Sequence, residues 1–137
     1  MAIVKLLIGK SIIDALFLTI VVAIYSYSAL PPSYRGWVDA ADAQTVAGWA
    51  VARGMPRHQI QVQLYIDGQF VQAAVTGGKR LDVAAMYPEL DENCGFTFNV
   101  PQLQAGIHTA RVFAVGVAGD DPVLRQIGPS LPISVSP

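Results

Sequence analysis

The N-terminal part of the chain is dominated by apolar residues, and Asp14 is the only charged residue between Ser11 and Leu30. A helix of about 20 residues rises about 30 Å, which matches the thickness of the hydrocarbon core of a bilayer. The run therefore predicts one transmembrane helix over residues 11–30, preceded by a cytoplasmic or interfacial segment over residues 1–10.

Both ends of this helix carry sequence signals. Pro31 and Pro32 are expected to end it, because proline lacks the backbone N–H that a helix needs. Residues 31–35 then form a linker to the rest of the chain. At the other end, the apolar stretch Ala2–Ile8 either extends the helix or lies along the membrane surface.

From Tyr34 onward the pattern changes to short runs rich in valine, isoleucine and aromatic residues, separated by turn residues. Apolar residues occupy every second position from Ile60 to Ile66, which is typical of a strand with one face on a core. Asp67-Gly68 then predicts a tight hairpin. The candidate strands are Thr45–Ala52, Gln59–Ile66, Gln69–Val75, Phe96–Val100, Ile107–Val115, Val123–Ile127 and Leu131–Val135.

Two stretches depart from this alternation. The segment Arg80–Leu90 predicts one helical turn that ends at Pro88. The segment Gly128–Pro132 contains two prolines and predicts an edge strand or an extended arm, because proline cannot donate to a central ladder. Short strands with regular turns between them predict an all-β antiparallel sandwich over residues 36–137.

Charge indicates which side of a membrane this domain occupies. Lys5 and Lys10 precede the apolar run, whereas Arg35, Asp39 and Asp42 follow it. The excess of positive charge on cytoplasmic flanks then predicts a cytoplasmic N-terminus and an extracytoplasmic C-terminal domain. The formal net charge of −1 provides no basic surface for nucleic acid, so we expect no nucleic-acid partner.

Aromatic residues cluster at the far end of the apolar run, at Tyr25, Tyr27, Tyr34 and Trp37. We expect them to act as membrane-interface anchors, because amphipathic rings favour the headgroup layer. A cleaved signal peptide is the competing interpretation, since Ser26–Ala29 imitates a cleavage site. The apolar run is longer than the usual signal core of about 7–15 residues, which favours a retained anchor.

Several short segments between Arg35 and Val115 follow a characteristic order. They are Gly36-Trp37-Val38-Asp39, Gly48-Trp49-Ala50, Tyr65-Ile66-Asp67-Gly68, Arg80-Leu81-Asp82-Val83, Gly95-Phe96 and Gly106-Ile107-His108. Together they resemble a module common in bacterial envelope and secreted proteins. The resemblance implies an immunoglobulin-like β-sandwich whose first strand is the glycine-led segment. It also implies a role as a spacer or binding domain, associated with carbohydrate in some relatives.

The sequence offers little chemistry for catalysis. No serine occurs between Tyr34 and Pro129, and we expect Cys94 to be a buried structural thiol. His108 is expected to hydrogen-bond within the sandwich, and His58 to be solvated. We therefore expect a non-enzymatic protein with no catalytic or metal-binding residues. There is no C-x-x-C-H sequence, so no covalently bound cofactor is expected either.

Two further pairs allow a structural and a functional interpretation. Arg80 and Asp82 could bind a ligand, but we favour a structural use in which the arginine satisfies backbone carbonyls and Asp82 caps the turn. Trp37 and Trp49 could form a platform for a sugar ring. We favour a core position for Trp49 and leave Trp37 open, because it lies close to the membrane.

The apolar helix contains no histidine and so lacks the usual axial ligand of a haem or pigment. Its small residues Ala15, Thr19 and Ala23 recur at every fourth position, which predicts a helix-packing interface. The larger side chains are expected to make peripheral contacts with lipid or pigment.

Two functions remain in competition. The first is an accessory subunit of a larger complex in the bacterial inner membrane, with a periplasmic domain and other integral-membrane subunits and the lipid bilayer as partners. Photosynthetic and respiratory electron-transfer complexes are the assemblies we would examine first. The alternative is a membrane-tethered module that binds glycan or another envelope component. The alternative requires Trp37 and tyrosines to be exposed together on one face of the sandwich.

The predicted orientation can be tested by cysteine labelling in cells. A cysteine near Gly119 is expected to react with a membrane-impermeant reagent from outside, and a cysteine at Ala2 is not. The opposite labelling pattern would overturn the orientation.

Overall fold

The fold was analysed in a computed structural model that describes residues 2–29 and 33–137. Leu30, Pro31 and Pro32 lie outside the described residues, as do the side chains of Tyr25 and Tyr27. The helix end expected at Pro31 and Pro32, and the membrane-interface role expected for Tyr25 and Tyr27, therefore stay predictions.

The N-terminal segment is one continuous helix, α1 (Ala2–Ala29). Ala2–Ile8 belong to this helix, which decides between the two alternatives for that stretch. The part from Ile3 to Ile24 is long and apolar enough to span a membrane, and none of it is buried against the rest of the chain. A helix that is apolar on all sides and exposed on all sides is unfavourable in water, so it requires an apolar environment.

The remainder of the chain forms two antiparallel sheets. The three-stranded sheet has the order β1-β2-β5 and the four-stranded sheet the order β4-β3-β6-β7. The strands are β1 (Tyr34–Ala41), β2 (Thr45–Ala52), β3 (Gln61–Ile66), β4 (Gln69–Val75), β5 (Gly95–Asn99), β6 (Gly106–Ala118) and β7 (Asp121–Val135). A short helix, α2 (Leu81–Met86), lies in the connection between β4 and β5.

The two sheets share one apolar core. The alternating residues of β3 point into it as predicted, and Val62 and Leu64 are fully buried. The three-stranded sheet contributes Val46 and Phe98, which are also fully buried. The coarse prediction of an antiparallel β domain behind an apolar helix is therefore confirmed.

Individual strands match the predictions to different degrees. The predicted bounds of β2 and β4 are correct. The two strands predicted near the C-terminus are one long strand, β7, whose pairing with β6 shifts register beside Gly128, where φ is +66°. Because β7 lies at the edge of its sheet, it accommodates the prolines of this segment.

The alternation of polar and apolar residues did not reveal β1, although the resemblance implied a glycine-led strand there. Trp37 and Val38 pair with Trp49 and Gly48 of β2. A Cβ atom at Gly48 would collide with the backbone of Trp37 and with the ring of Phe96. Glycine at this position therefore permits the close approach of the two strands.

A hydrogen-bonded pair fastens the β3–β4 turn to β6. Asp67 Oδ1 accepts a hydrogen bond from the backbone N–H of Thr109 (2.9 Å). The Nδ1–H of His108 donates to Asp67 Oδ2 (2.5 Å), and its Nε2–H donates to the carbonyl of Gln104 (2.7 Å). Both ring nitrogens face acceptors, so the protonated imidazolium fits this site. The expectation that His108 forms hydrogen bonds within the domain is confirmed.

This pair makes stability depend on pH. The hydrogen bond to Asp67 raises the pKa of His108 above its ordinary value, and the bond from His108 lowers the pKa of Asp67. A raised histidine pKa stabilises the fold below about pH 6.5, and this contribution is lost as pH rises through the folded-state pKa.

We therefore expect the free energy of unfolding to fall as pH is raised from about 6 to about 8, and this fall to be absent in His108→Gln. Chemical denaturation of both proteins in mild detergent, followed by circular dichroism, measures the difference. A His108→Gln profile parallel to that of the unsubstituted chain would show that this pair does not titrate on unfolding.

Candidate functional site

The outer face of the three-stranded sheet carries two tryptophans side by side. Trp37 of β1 and Trp49 of β2 are register partners, so both side chains lie on the same face. Val46 and Ala50 of β2 point into the core on the opposite face. Trp49 is therefore half-buried on the outside of the sheet, and the expectation that it occupies the core is wrong. Trp37 is 52% exposed.

The connection between β4 and β5 covers part of this outer face. Four buried residues form a second, smaller apolar cluster: Val51, Val83, Leu90 and Cys94. Trp49 and Tyr87 pack against it, with their ring centroids 5.8 Å apart. The face of β2 that points away from the main core is thus itself part of a cluster, which holds the covering segment in place.

A cleft of about 460 Å³ remains between the sheet and the covering segment. This volume lies within the range of about 300–1,000 Å³ that small-ligand sites occupy. Aromatic and charged residues both line it. The aromatic residues are Tyr34, Trp37, Trp49 and Tyr87, and the charged ones are Arg35, Asp39, Arg53, Arg80 and Asp82.

Arg80 joins the two walls of the cleft. Its Nε–H and Nη2–H donate to the two carboxylate oxygens of Asp82 (2.9 and 2.7 Å), which is a bidentate pair. Its Nη1–H donates to Asp39 Oδ2 of β1 (2.5 Å). The expectation that Arg80 satisfies backbone carbonyls is therefore wrong, and Asp82 does not cap α2, which has no side-chain cap.

Arg80 and Asp82 stabilise each other in their ionised forms. The hydrogen bonds with Asp82 raise the pKa of Arg80, and those from Arg80 lower the pKa of Asp82 to about 2. An acid that donates a proton near neutral pH requires a raised pKa. Asp82 is consequently unsuited to general acid catalysis, whereas its ionised oxygens remain hydrogen-bond acceptors.

Arg35 orders the other end of the cleft. Its guanidinium lies 4.6 Å from the centroid of the Tyr87 ring, and its Nη1–H donates to Glu89 Oε1 (3.1 Å). The cation–π contact and the ion pair both connect β1 with the residues that follow α2. Because the aromatic lining is held from two sides, the cleft is largely preformed.

The other residues with reactive or ionisable side chains lie outside the cleft, and their surroundings indicate no catalytic role. Cys94 is buried as expected, and burial raises the pKa of its thiol. Asp42 Oδ1 accepts hydrogen bonds from the backbone N–H groups of Gln44 and Thr45 (2.8 Å each) in the β1–β2 turn. His58 is exposed, as expected. Within residues 2–29 and 33–137, no group of three or more His, Cys, Asp or Glu residues could hold a metal ion.

The site residues predicted from sequence fall in two places. Tyr34 and Trp37, expected at the membrane interface, both line the cleft, and the Tyr34 hydroxyl donates to the carbonyl of Val115 (3.2 Å). Ala15, Thr19 and Ala23 are exposed along α1, where Thr19 Oγ1 donates to the Ala15 carbonyl (2.9 Å). The helix-packing interface therefore stays a prediction.

No pattern in the sequence predicted that these residues would lie together. Asp39 and Arg80 are 41 positions apart, and Tyr87 was not singled out at all. A usable signal was nevertheless present. The segments beginning at Gly36, Gly48 and Arg80, which carry the resemblance described above, all contribute residues to the cleft.

Comparisons with known proteins add little to this geometry. No protein-family model and no curated protein matches the chain. Among solved structures it is similar to the family 28 exopolygalacturonase of Yersinia enterocolitica, with 14% sequence identity and a TM-score of 0.32. The similarity covers 72% of this chain and 20% of that chain. At this level of similarity the comparison supports no conclusion about fold or activity.

The different positions of Trp49 and Phe98 can be compared by substitution. Phe98→Ala empties a fully buried site and is expected to lower the free energy of unfolding by about 3–5 kcal/mol. Trp49→Ala is expected to cost less, because part of its ring faces the cleft. Denaturation of the full chain in mild detergent, followed by circular dichroism, checks both. A larger loss of unfolding free energy for Trp49→Ala than for Phe98→Ala would indicate that Trp49 is a core residue.

Proposed function

We propose that this chain is a membrane-anchored, non-catalytic binding module that holds a sugar ring of an envelope glycan in the cleft. In this proposal α1 is the anchor, with its N-terminus in the cytoplasm. The domain, an immunoglobulin-like sandwich, lies on the periplasmic side of a bacterial inner membrane.

The observation that carries the proposal is the exposed Trp37 ring on the wall of a defined cleft, beside Trp49 and Tyr87. One face of a sugar ring carries mainly C–H groups, and such a face packs well on an aromatic ring. Burying a large aromatic side chain in the core would be the favourable arrangement if it served stability alone. The exposure of Trp37 at a concave surface therefore favours a ligand contact.

The charged lining suits the rim of a sugar ring. Hydroxyl groups both donate and accept hydrogen bonds, so they can bind carboxylates and guanidinium groups together. Asp39, Asp82 and Arg80 present both kinds of group, and their mutual ion pairs hold them in fixed positions. A preorganised site of this kind loses little entropy when a ligand binds.

We therefore prefer the glycan-binding module to the accessory subunit, which was the first hypothesis drawn from the sequence. That hypothesis combined the lack of obvious chemistry with the small-residue stripe of the helix, and the cleft weakens the first of these reasons. The condition set for the glycan-binding alternative was Trp37 and tyrosines exposed together on one face. Trp37 is exposed and the partly buried Tyr87 lines the same cleft, whereas Tyr34 packs against the main core, so the condition is met only in part. Membership of a photosynthetic or respiratory complex has no support beyond the apolar helix.

Glycan binding can be tested with the full chain in detergent micelles and soluble fragments of bacterial cell-wall glycan. Trp37→Ala is expected to raise the dissociation constant about tenfold or more, because it removes the stacking surface. Phe70→Ala is the matched control, since Phe70 is 55% exposed on β4 of the other sheet. Isothermal titration calorimetry measures both affinities.

Equal losses in Trp37→Ala and Phe70→Ala would place binding outside the cleft. Absence of binding by the unsubstituted chain to every fragment of a broad glycan panel would refute the proposed function.

A further inference from the structure

The connection between helix and domain limits how far the domain can lie from the membrane. Only three residues separate Ala29, the last residue of α1, from Ser33. A fully extended chain covers at most about 3.6 Å per residue, so Ser33 lies within about 14 Å of Ala29. That distance is comparable to the Debye length of about 8–10 Å over which surface charges act at moderate salt concentration.

The loop that follows β2 lies at this same end of the domain. The backbone N–H of Arg53 donates to the carbonyl of Ser33 (2.9 Å). The loop is also closed on itself, since the N–H of Met55 donates to the Ala52 carbonyl (3.3 Å) and that of His58 to the Met55 carbonyl (3.1 Å). The loop Arg53–His58 is therefore a built turn, held next to Ser33, the first described residue of the domain.

The composition of this loop is basic and apolar. Arg53, Arg57 and His58 occur in it without any acidic residue, and Met55 between the arginines is 56% exposed. An apolar side chain flanked by basic ones suits the surface of a membrane that contains anionic lipids. The arginines attract the phosphate groups, and the thioether chain enters the boundary between headgroups and acyl chains.

A second turn at this end has the opposite charge. The Tyr34 hydroxyl contacts the carbonyl of Val115, and β6 ends three residues later, at Ala118. The β6–β7 turn with Asp120 and Asp121 therefore also lies at the end of the domain near Ser33. Anionic lipid repels these carboxylates, so the charges of the two turns select which one faces the surface.

We infer that the loop Arg53–His58 docks on the anionic phospholipid surface beside the anchor, with Met55 in the headgroup layer and Arg57 on lipid phosphate. This inference rests on the part of the proposed function that makes α1 a membrane anchor. It does not depend on the ligand of the cleft. Docking at this loop would orient the domain rather than leave it to swing on its linker.

Fluorescence quenching in lipid nanodiscs tests the inference with the full chain. An environment-sensitive fluorophore is attached at Met55→Cys, and separately at Asp120→Cys or Gln102→Cys, while buried Cys94 stays unlabelled. The discs contain phosphatidylcholine with or without phosphatidylglycerol, and a lipid that carries a shallow spin label as quencher. Asp120 is the control at the same end, and Gln102 lies near the opposite end, in the connection between β5 and β6.

In discs with phosphatidylglycerol, quenching at position 55 is expected to exceed that at positions 120 and 102 at least twofold. Adding Arg57→Glu to the labelled chain, or raising the salt concentration to about 0.5 M, is expected to remove most of this excess. Arg111→Glu on β6 is the matched charge reversal and is expected to leave it unchanged.

Equal quenching at the three positions in inserted protein would overturn the docking inference while leaving the anchor intact. So would an excess at position 55 that does not respond to Arg57→Glu. Failure of the chain to enter the discs would overturn the anchor and the docking together. Glycan affinity measured in micelles is independent of all these results and reports on the cleft alone.

Discussion

The ion-pair cluster around Arg80 is the interaction on which the candidate site depends. One guanidinium binds Asp39 on β1 and Asp82 on α2, and the backbone N–H of Arg80 donates to the carbonyl of Glu92 (2.6 Å). A helix as short as α2 is not stable by itself, because the hydrogen bonds of one or two turns do not offset the free energy cost of nucleation. Its position over the sheet therefore comes from this cluster and from the apolar contacts of Val83, and so does the cleft.

Strand β2 makes this arrangement possible because it serves two apolar clusters. Val46 and Ala50 belong to the core between the sheets, whereas Val51 belongs to the outer cluster and Trp49 packs against it. A central strand buried on both faces is held from both sides, so the tryptophan side chain extends from a rigid base. Sites built on such strands are positioned more accurately than sites on free loops.

Features that depend on residues close together in the sequence could be predicted, whereas contacts between distant residues could not. The bounds of β2 and β4 and the Asp67-Gly68 turn were correct, because alternation and turn chemistry are local signals. The core position expected for Trp49 was wrong, since a strand that is apolar on both faces gives no sign of which face meets the main core. The contact between Arg80 and Asp39 joins residues far apart in sequence, and no spacing rule connects them.

Arg53 connects the proposed ligand site with the proposed membrane contact. It lines the cleft, and it also begins the basic loop beside Ser33. If the loop docks on lipid, the cleft acquires a defined height and direction above the membrane. A polymer that lies along this surface then meets a correctly oriented site. Because the domain has already lost its orientational entropy on docking, that cost is not incurred again when the polymer binds. If a ligand that contacts Arg53 changes the affinity of the loop for lipid, reciprocal linkage requires docking on lipid to change the affinity for that ligand by the same factor.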